Sequence, residues 1–463
     1  MDAKMKKTAF ILIIICIIFC IGGCGFVTTD TASLLAPPKT AAIIDQLQGE
    51  IDKLLDLGGE FSAPVSGENR QSVQLFDLDG DDEEEAIIFL RTSRELPLKL
   101  VIFSKTGGVF VPKAEYEMSG TSFDTVSYMD LTGNGIRELV IGCSLGSGIP
   151  KALHVLSFEE DKLTQMLSST YSGFSVFDIR GINRSELIIA RHNAEEQAGA
   201  LEVYKWEADS GELELAYKTE LSQSTDSLKR MRAGYLSDGT PAMFISGILG
   251  KTDLVVDICA FRRDELVNIL LDEETGMSRH IIRQYTLNGG DINGDGALDI
   301  PQLIVVPDYE GKKSGEQFRK VSWIDYDING EATEVMQTYH NSADGWYFII
   351  PQVWKENVAF DRRDSVSGER TIVFTLVRDG YEPVDLLTIY TLTGDNRADR
   401  STLDDRFLIS SPSMIELRPS TLYSAKLNKL PPTGTGRYSI TKNTVMESFR
   451  LIQTEWTTGE LTP

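Results

Sequence analysis

Side-chain oxygens recur at fixed steps along this chain, and their chemistry is that of a site for a hard cation. In "DINGDGALDIPQLIVV", Asp291, Asn293, Asp295 and Asp299 take the first, third, fifth and ninth positions of a loop. Gly294 and Gly296 let the backbone wrap there, because glycine tolerates positive φ. "FDLDGDDEEEAIIFL" repeats the arrangement with Asp77, Asp79, Asp81 and Glu85, and "MDLTGNGIRELVIG" with Asp130, Thr132, Asn134 and Glu138. Calcium takes roughly 6–8 oxygen ligands, carboxylates above all, on a loop able to fold round it. Oxygens at alternate loop positions converge on one point, so calcium is the expected ion. An EF-hand is excluded, since the twelfth position needs a bidentate Glu and holds Ile88, Ile141 and Gln302. The task of such an ion is structural: it neutralises carboxylates that otherwise repel, and it pins the loop. The competing reading is a metal-free turn in which the first aspartate accepts backbone N–H bonds. Asp82, Glu83 and Glu84 read as a solvated face.

Each of these loops runs straight into an apolar, β-branched segment, and the unit recurs. "FDIRGINRSELIIA" keeps Asp178, Gly181 and Glu186, but Arg180 and Ile182 stand where ligands belong, so this loop is expected to hold no metal. "GYLSDGTPAMFISG" keeps Asp238, Gly239 and the following strand. The copies start about fifty residues apart, a blade-sized period. Further apolar runs separated by turn residues follow each loop, as in "LKLVIFSKTGGVFVP" and "LEVYKWEADSGELELAY". They read as hairpins. A unit of three or four short antiparallel strands has the composition of a propeller blade, whose strands bury both faces only by stacking on neighbours.

These loop–strand units resemble FG-GAP or VCBS repeats, found in integrin-type and bacterial surface β-propellers. The resemblance covers about residues 60–340. It implies a mainly β fold with a propeller of five to seven blades, and calcium in the loops whose ninth-position acid begins a strand. The expected propeller domain is 41–340. It opens with a helix over Ala41–Leu57, where Ile44, Leu47, Ile51, Leu54 and Leu55 share a face; Gly58 and Gly59 stop it.

Past Tyr339 the repeat disappears. "DGWYFIIPQVWKENVAF", "ERTIVFTLVRDG", "VDLLTIYTLTGDNR" and "STLYSAKL" read as strands. Val445, Phe449, Ile452 and Trp456 form one face of a predicted closing helix, with Thr444 and Glu447 as its capping box. Residues 341–463 are thus expected to be a small α+β domain. Its strand order and the F-x-I-P-x-x-W motif faintly resemble the PsbP/Mog1-like fold.

The N-terminus reads as an export signal. Lys4, Lys6 and Lys7 precede the short apolar run Ala9–Ile21, and Ile21, Gly22, Gly23 and Cys24 follow. This resembles a bacterial lipobox, which implies cleavage after residue 23 and a diacylglycerol on the Cys24 sulfur. Two or more acyl chains (palmitate among them) anchor durably where one does not. Residues 24–40 are small, polar and proline-containing, and read as a flexible tether. The expected location is therefore the extracytoplasmic face of a cell membrane, in the envelope. A formal net charge of -24 opposes binding to nucleic acid. Of five cysteines, only Cys143 and Cys259 fall in the folded part, each in an apolar run. They read as buried free thiols.

Catalytic motifs are weak. "GCSLG" places Ser144 in G-x-S-x-G, but a nucleophile elbow needs strand, sharp turn and helix; here another strand follows. His154, His192, His280 and His340 lack metal-binding spacing and read as packing or surface residues. Asp395 and Asp399 sit in a polar turn. The expected function is non-catalytic: a rigid binding or scaffold module for an extracellular protein or glycan. A carbohydrate-active hydrolase or lyase with paired carboxylates is the alternative, distinguished by two acids about 5–10 Å apart in a pocket outside the repeat loops.

Overall fold

The computed structural model describes residues 39–147, 149–283, 287–306, 319–364, 366–430 and 435–452. The expected signal peptide, Cys24, nearly all of the tether and Trp456 lie outside the described residues. Among those described, no helix is long and apolar enough to cross a membrane. The chain is mainly β, built from antiparallel sheets.

By internal contacts the chain divides into two compact units. The first comprises Met1–Ser62, Ser72–Asp77 and Asp82–Met118. It begins with the expected helix, Lys39–Asp56, whose Leu47 and Ile51 are buried on the first sheet with Ala86, Ile88, Leu90, Val101 and Phe103. Gly58 at φ 91° ends it. The sheet holds Glu60–Phe61, Val73–Phe76, Glu85–Arg91, Leu98–Thr106 and Val109–Met118.

The second unit comprises Ala63–Gln71, Leu78–Asp81 and Ser119–Pro463. Its sheets follow one another along the chain as four-stranded meanders. The second sheet is Ser122–Met129, Glu138–Ser144, Lys151–Glu159 and Lys162–Tyr171; the third is Gly173–Phe177, Glu186–Asn193, Ala198–Glu207 and Glu212–Leu221. The fourth is Ser227–Tyr235, Pro241–Leu249, Asp253–Arg262 and Glu265–Asn268, joined by Ile281–Ile282. Side chains alternate across a strand, and both faces are used. Leu187 and Ile189 pack on the second sheet with Val140 and Leu153, whereas Ile188 and Ala190 pack on the fourth with Met243 and Ile245. That double burial is why these strands read as unbroken apolar runs rather than alternating ones. The stacking continues: Phe244 and Ile258 meet Leu298, Ile300 and Tyr326 of the fifth sheet.

The expected domain boundary after residue 340 falls inside a sheet. The fifth sheet runs Ile300–Val305, Arg319–Tyr326, Ala332–Asn341 and Trp346–Ile349, with Thr338 opposite Ile349 across the supposed junction. The predicted closing helix is also corrected. Among the described residues of this segment the helix is Lys442–Ser448, its N-cap is Thr441 accepting from the Thr444 amide, and Phe449–Leu451 is a strand that returns to pair with Trp346–Ile349. Strand pairing and burial of Phe449 against Trp346 and Tyr423 outweigh the local helical pattern. The sixth sheet, Val358–Arg362, Glu369–Arg378, Tyr381–Thr393, Thr421–Leu427 and Phe407–Leu408, shares an aromatic core with the fifth: Trp346, Phe348, Trp354, Phe360 and Phe374.

Candidate metal-binding loops

All five marked loops occupy one place in their sheets, the connection leading into the strand that carries the ninth position or its equivalent. Val73–Phe76 turns into Glu85–Arg91, Ser122–Met129 into Glu138–Ser144, and Gly173–Phe177 into Glu186–Asn193. Ser227–Tyr235 turns into Pro241–Leu249. In the fifth sheet the first strand shrinks to one bridge, Gly290 opposite Asp299.

The first aspartate of each loop caps its own turn. Asp291 Oδ1 accepts from the Gly294 amide at 2.7 Å and Oδ2 from Gly296 at 3.0 Å. Asp130 does the same for Gly133 (2.6 Å) and Gly135 (2.9 Å), and Asp178 for Ile182 (3.0 Å) and Asn183 (2.6 Å). In the first loop Asp77 Oδ2 accepts from Asp82, and Asp79 Oδ1 from Asp81. Gly133, Gly135, Gly294 and Gly296 all have φ between 78° and 90°, where a side chain costs energy. This backbone capping is the part of the design that needs no ion. Asn134 and Asn293 likewise accept from Ile136 and Asp295, and Thr132 donates to Asp130 at 3.5 Å.

The ninth position differs in kind. Glu85, Glu138, Glu186 and Asp299 are all buried, at 2%, 0%, 3% and 0% exposure. Glu138 Oε2 closes its loop by accepting from the Leu131 amide at 2.7 Å, and Asp299 Oδ2 accepts from Ile292 at 2.7 Å. Their other oxygens, Glu138 Oε1 and Asp299 Oδ1, are buried acceptors that no protein donor meets. Burial pushes Glu138 up to about 7, against the Leu131 amide bond and with help from Asp130. Burial, then the Asp325 carboxyl, push Asp299 up to about 8.

The third loop shows how the fold answers the same charge from within. Arg180, in the third ligand position, turns its Nε onto Glu186 Oε1 at 2.9 Å. Leu187 pairs with Tyr204, which sets Lys205 opposite Glu186 across the ladder. Burial still raises the Glu186 pKa, with Arg180 and then Lys205 opposing. In this loop, which the sequence leads one to expect without metal, Arg180 supplies a positive partner to the buried acid.

An all-oxygen donor set, with Asp, Asn and Thr at alternate positions and a buried acid with an orphaned oxygen, suits a hard cation. Asp77, Asp79 and Glu85 bring one oxygen each within 4.8 Å of one another in a single turn. Among the described residues the fifth loop's three acids, Asp291, Asp295 and Asp299, are not gathered this closely. There, Asn293 Nδ2 also donates to Asp295 Oδ2 at 2.7 Å.

Sequence reasoning missed the groups facing the ninth position from the neighbouring strand: Ser104, Ser157, Lys205 and Asp325, each set by the register of its ladder. It also missed the buried Asp124, which accepts from Tyr171 Oη at 2.5 Å and Lys151 Nζ at 2.8 Å. Only a strand register, counted through each hairpin, would have exposed them. Elsewhere, Ser144 ends a strand rather than sitting on an elbow, and Cys143 and Cys259 are free and buried. His280 is a buried packing residue, its Nδ1 2.6 Å from Tyr326 Oη, and the half-buried His340 stacks on Tyr347. A cavity of about 470 Å³ near the sixth sheet is lined by Glu356, Asp379, Arg378, Arg437 and Tyr438 over an apolar floor.

No known family and no curated protein matches this sequence. Solved structures show distant likenesses. A protein from Lactobacillus plantarum has 11% identity over 68% of this chain and 86% of its own, with a TM-score of 0.28. The Dos1 propeller has 8% identity over 72% and 69%, at 0.29. Rhamnogalacturonan lyase YesW has 11% over 59% and 68%, at 0.28.

Proposed function

We propose that this chain is a lipid-anchored module of the cell envelope, held by Cys24 on the extracytoplasmic face, whose stacked sheets form a β-propeller of the FG-GAP/VCBS kind. Its work is non-catalytic binding or scaffolding for an extracellular protein or glycan. The observation that carries this reading is the repetition of one capped, oxygen-lined turn at the same corner of successive antiparallel sheets. Rigid sheets that present loops at one recurrent position are a platform, and loops on rigid scaffolds carry binding. Calcium is the ion that the first, second and fifth loops suit; bound there, it supplies positive charge to buried acids such as Glu138 and Asp299. The chain's own residues do the rest: first-position aspartates cap the turns, and ninth-position acids fasten them to the strand.

Two measurements test this. Mass spectrometry of the membrane fraction should find an acylated Cys24 as the mature N-terminus; an unmodified, uncleaved chain removes the anchor. A pull-down from envelope extract should retain a partner in calcium and lose it in chelator. Equal recovery in both disconnects the loops from binding.

The alternative, a carbohydrate-active hydrolase or lyase, draws on the cavity holding Glu356 and Asp379, two acids outside the repeat loops. Turnover of a polysaccharide panel that Glu356→Gln and Asp379→Asn both abolish would establish it. Activity unchanged in both removes it.

A further inference from the structure

The cavity of about 470 Å³ near the sixth sheet carries a balanced set of charges. Two acids, Glu356 and Asp379, and two guanidiniums, Arg378 and Arg437, line it over an aliphatic floor that includes Val358 and Ala359. Its volume falls within the ~300–1,000 Å³ of small-ligand pockets. The walls come from separate segments and are tied together. The Val377 amide donates to the Asn357 carbonyl at 2.8 Å, and Trp354 Nε1 donates to the Tyr438 carbonyl at 2.7 Å. Tyr438 sets both guanidiniums. Arg437 Cζ lies 4.8 Å and Arg378 Cζ 5.9 Å from its ring centre, and Arg437 Nη2 donates to its Oη at 2.6 Å. Tyr438 is itself only 3% exposed, so its ring anchors the arginines and offers no open face on which a sugar could stack. Glu356, Asp379 and Arg437 are exposed, and none of the three forms an ion pair among the described residues.

That charge pattern selects its guest. A cation alone would face two guanidiniums, and an anion alone two carboxylates. An uncharged apolar guest would strip water from all four and return nothing. A zwitterion with an aliphatic side chain answers every group: its carboxylate suits the guanidinium forks, its ammonium the acids, and its side chain the floor. We propose that this cavity binds an α-amino acid with an aliphatic side chain, either free or in a short peptide. The site is independent of the repeat loops and of calcium, and it gives Glu356 and Asp379 a binding task in place of a catalytic one.

The test is calorimetry on the full chain with L-leucine, leucyl-leucine and galacturonate as probes. Binding of leucine supports the proposal with a free amino acid as the source; binding of leucyl-leucine alone supports it with a peptide. N-acetylation or amidation of the probe that binds should weaken it roughly tenfold or more, because each removes a charge-assisted contact. Arg437→Gln and Asp379→Asn, both at exposed positions, should weaken binding by a similar factor and keep the wild-type melting temperature. Should Asp379→Asn fail to fold, Glu356→Gln takes its place. Affinity unchanged in both variants puts the ligand elsewhere and overturns the proposal. Silence from both leucine probes overturns it too, as does galacturonate binding more tightly than either.

Discussion

Removing the Arg180 guanidinium should expose how much the third loop depends on its internal cation. Arg180 Nε lies 2.9 Å from Glu186 Oε1, with the Glu186 side chain 2% exposed and that of Arg180 23%. At an effective dielectric near 20, that separation corresponds to an attraction of about 6 kcal/mol, much of it offset by desolvation. Deleting one partner of a buried pair costs ~3–5 kcal/mol, because the other charge stays buried. Lys205 still faces Glu186 and Arg180 is partly solvated, so the low end, about 3 kcal/mol, is expected for Arg180→Ala. In a chain of this size that is a fall in Tm on the order of 5 °C. The loss also has a pH signature. Burial already raises the Glu186 pKa against Arg180; without Arg180 it rises further. The folded form then binds the proton more tightly than the unfolded one, so the deficit is full above the raised pKa and shrinks as pH falls through it. Urea denaturation at pH 8 and pH 5, with the cycle of Arg180→Ala, Glu186→Gln and the double variant, measures both effects. A cost below about 1 kcal/mol, the range of an exposed pair, or the same cost at both pH values, refutes the idea that this pair stands in for an ion.

Other expectations follow from single contacts. A Cβ on Gly142 would lie 2.1 Å from Tyr171 Oη, so Gly142→Ala should push Tyr171 off Asp124 and cost ~1–3 kcal/mol by chemical denaturation. Burial lowers the His280 pKa from 6.5 to about 4. The unfolded chain then takes up a proton that the folded chain refuses, and stability present above pH 6.5 falls as pH drops towards 4, by at most ~3 kcal/mol. His280→Gln should flatten that slope relative to wild type in paired melts at pH 7 and pH 4.5. Burial raises both the Cys143 and Cys259 thiols. A thiol reagent at neutral pH should leave both unlabelled until denaturant is added, as read by peptide mass mapping.

The turns were legible because their chemistry is local. Aspartate caps, positive-φ glycines and a strand-starting acid all fall within nine residues, and the apolar run after them announces a strand. The leading helix was legible from the 3.6-residue spacing of Leu47, Ile51, Leu54 and Leu55. The charge partners were not, because Lys205 and Asp325 reach the ninth-position acids only through the register of a neighbouring strand, 19 and 26 residues away in Glu186→Lys205 and Asp299→Asp325 steps along the chain. The end of the fifth sheet was hidden for a related reason. The repeat marks only a sheet's first turn, so nothing near Tyr339 says that Trp346–Ile349 still belongs to it. The strand Phe449–Leu451 is too short to show a period, and its aromatic residue completes a helical stripe as readily as a strand face.

The loops can be interrogated together by anomalous diffraction from crystals of the full chain grown with terbium, an oxygen-seeking surrogate for calcium. Peaks are expected beside Asp77, Asp130 and Asp291, with none beside Asp178 where Arg180 holds the place. A peak beside Asp178, or empty density at all the other three, would contradict the division of these turns into ion-held and arginine-held copies.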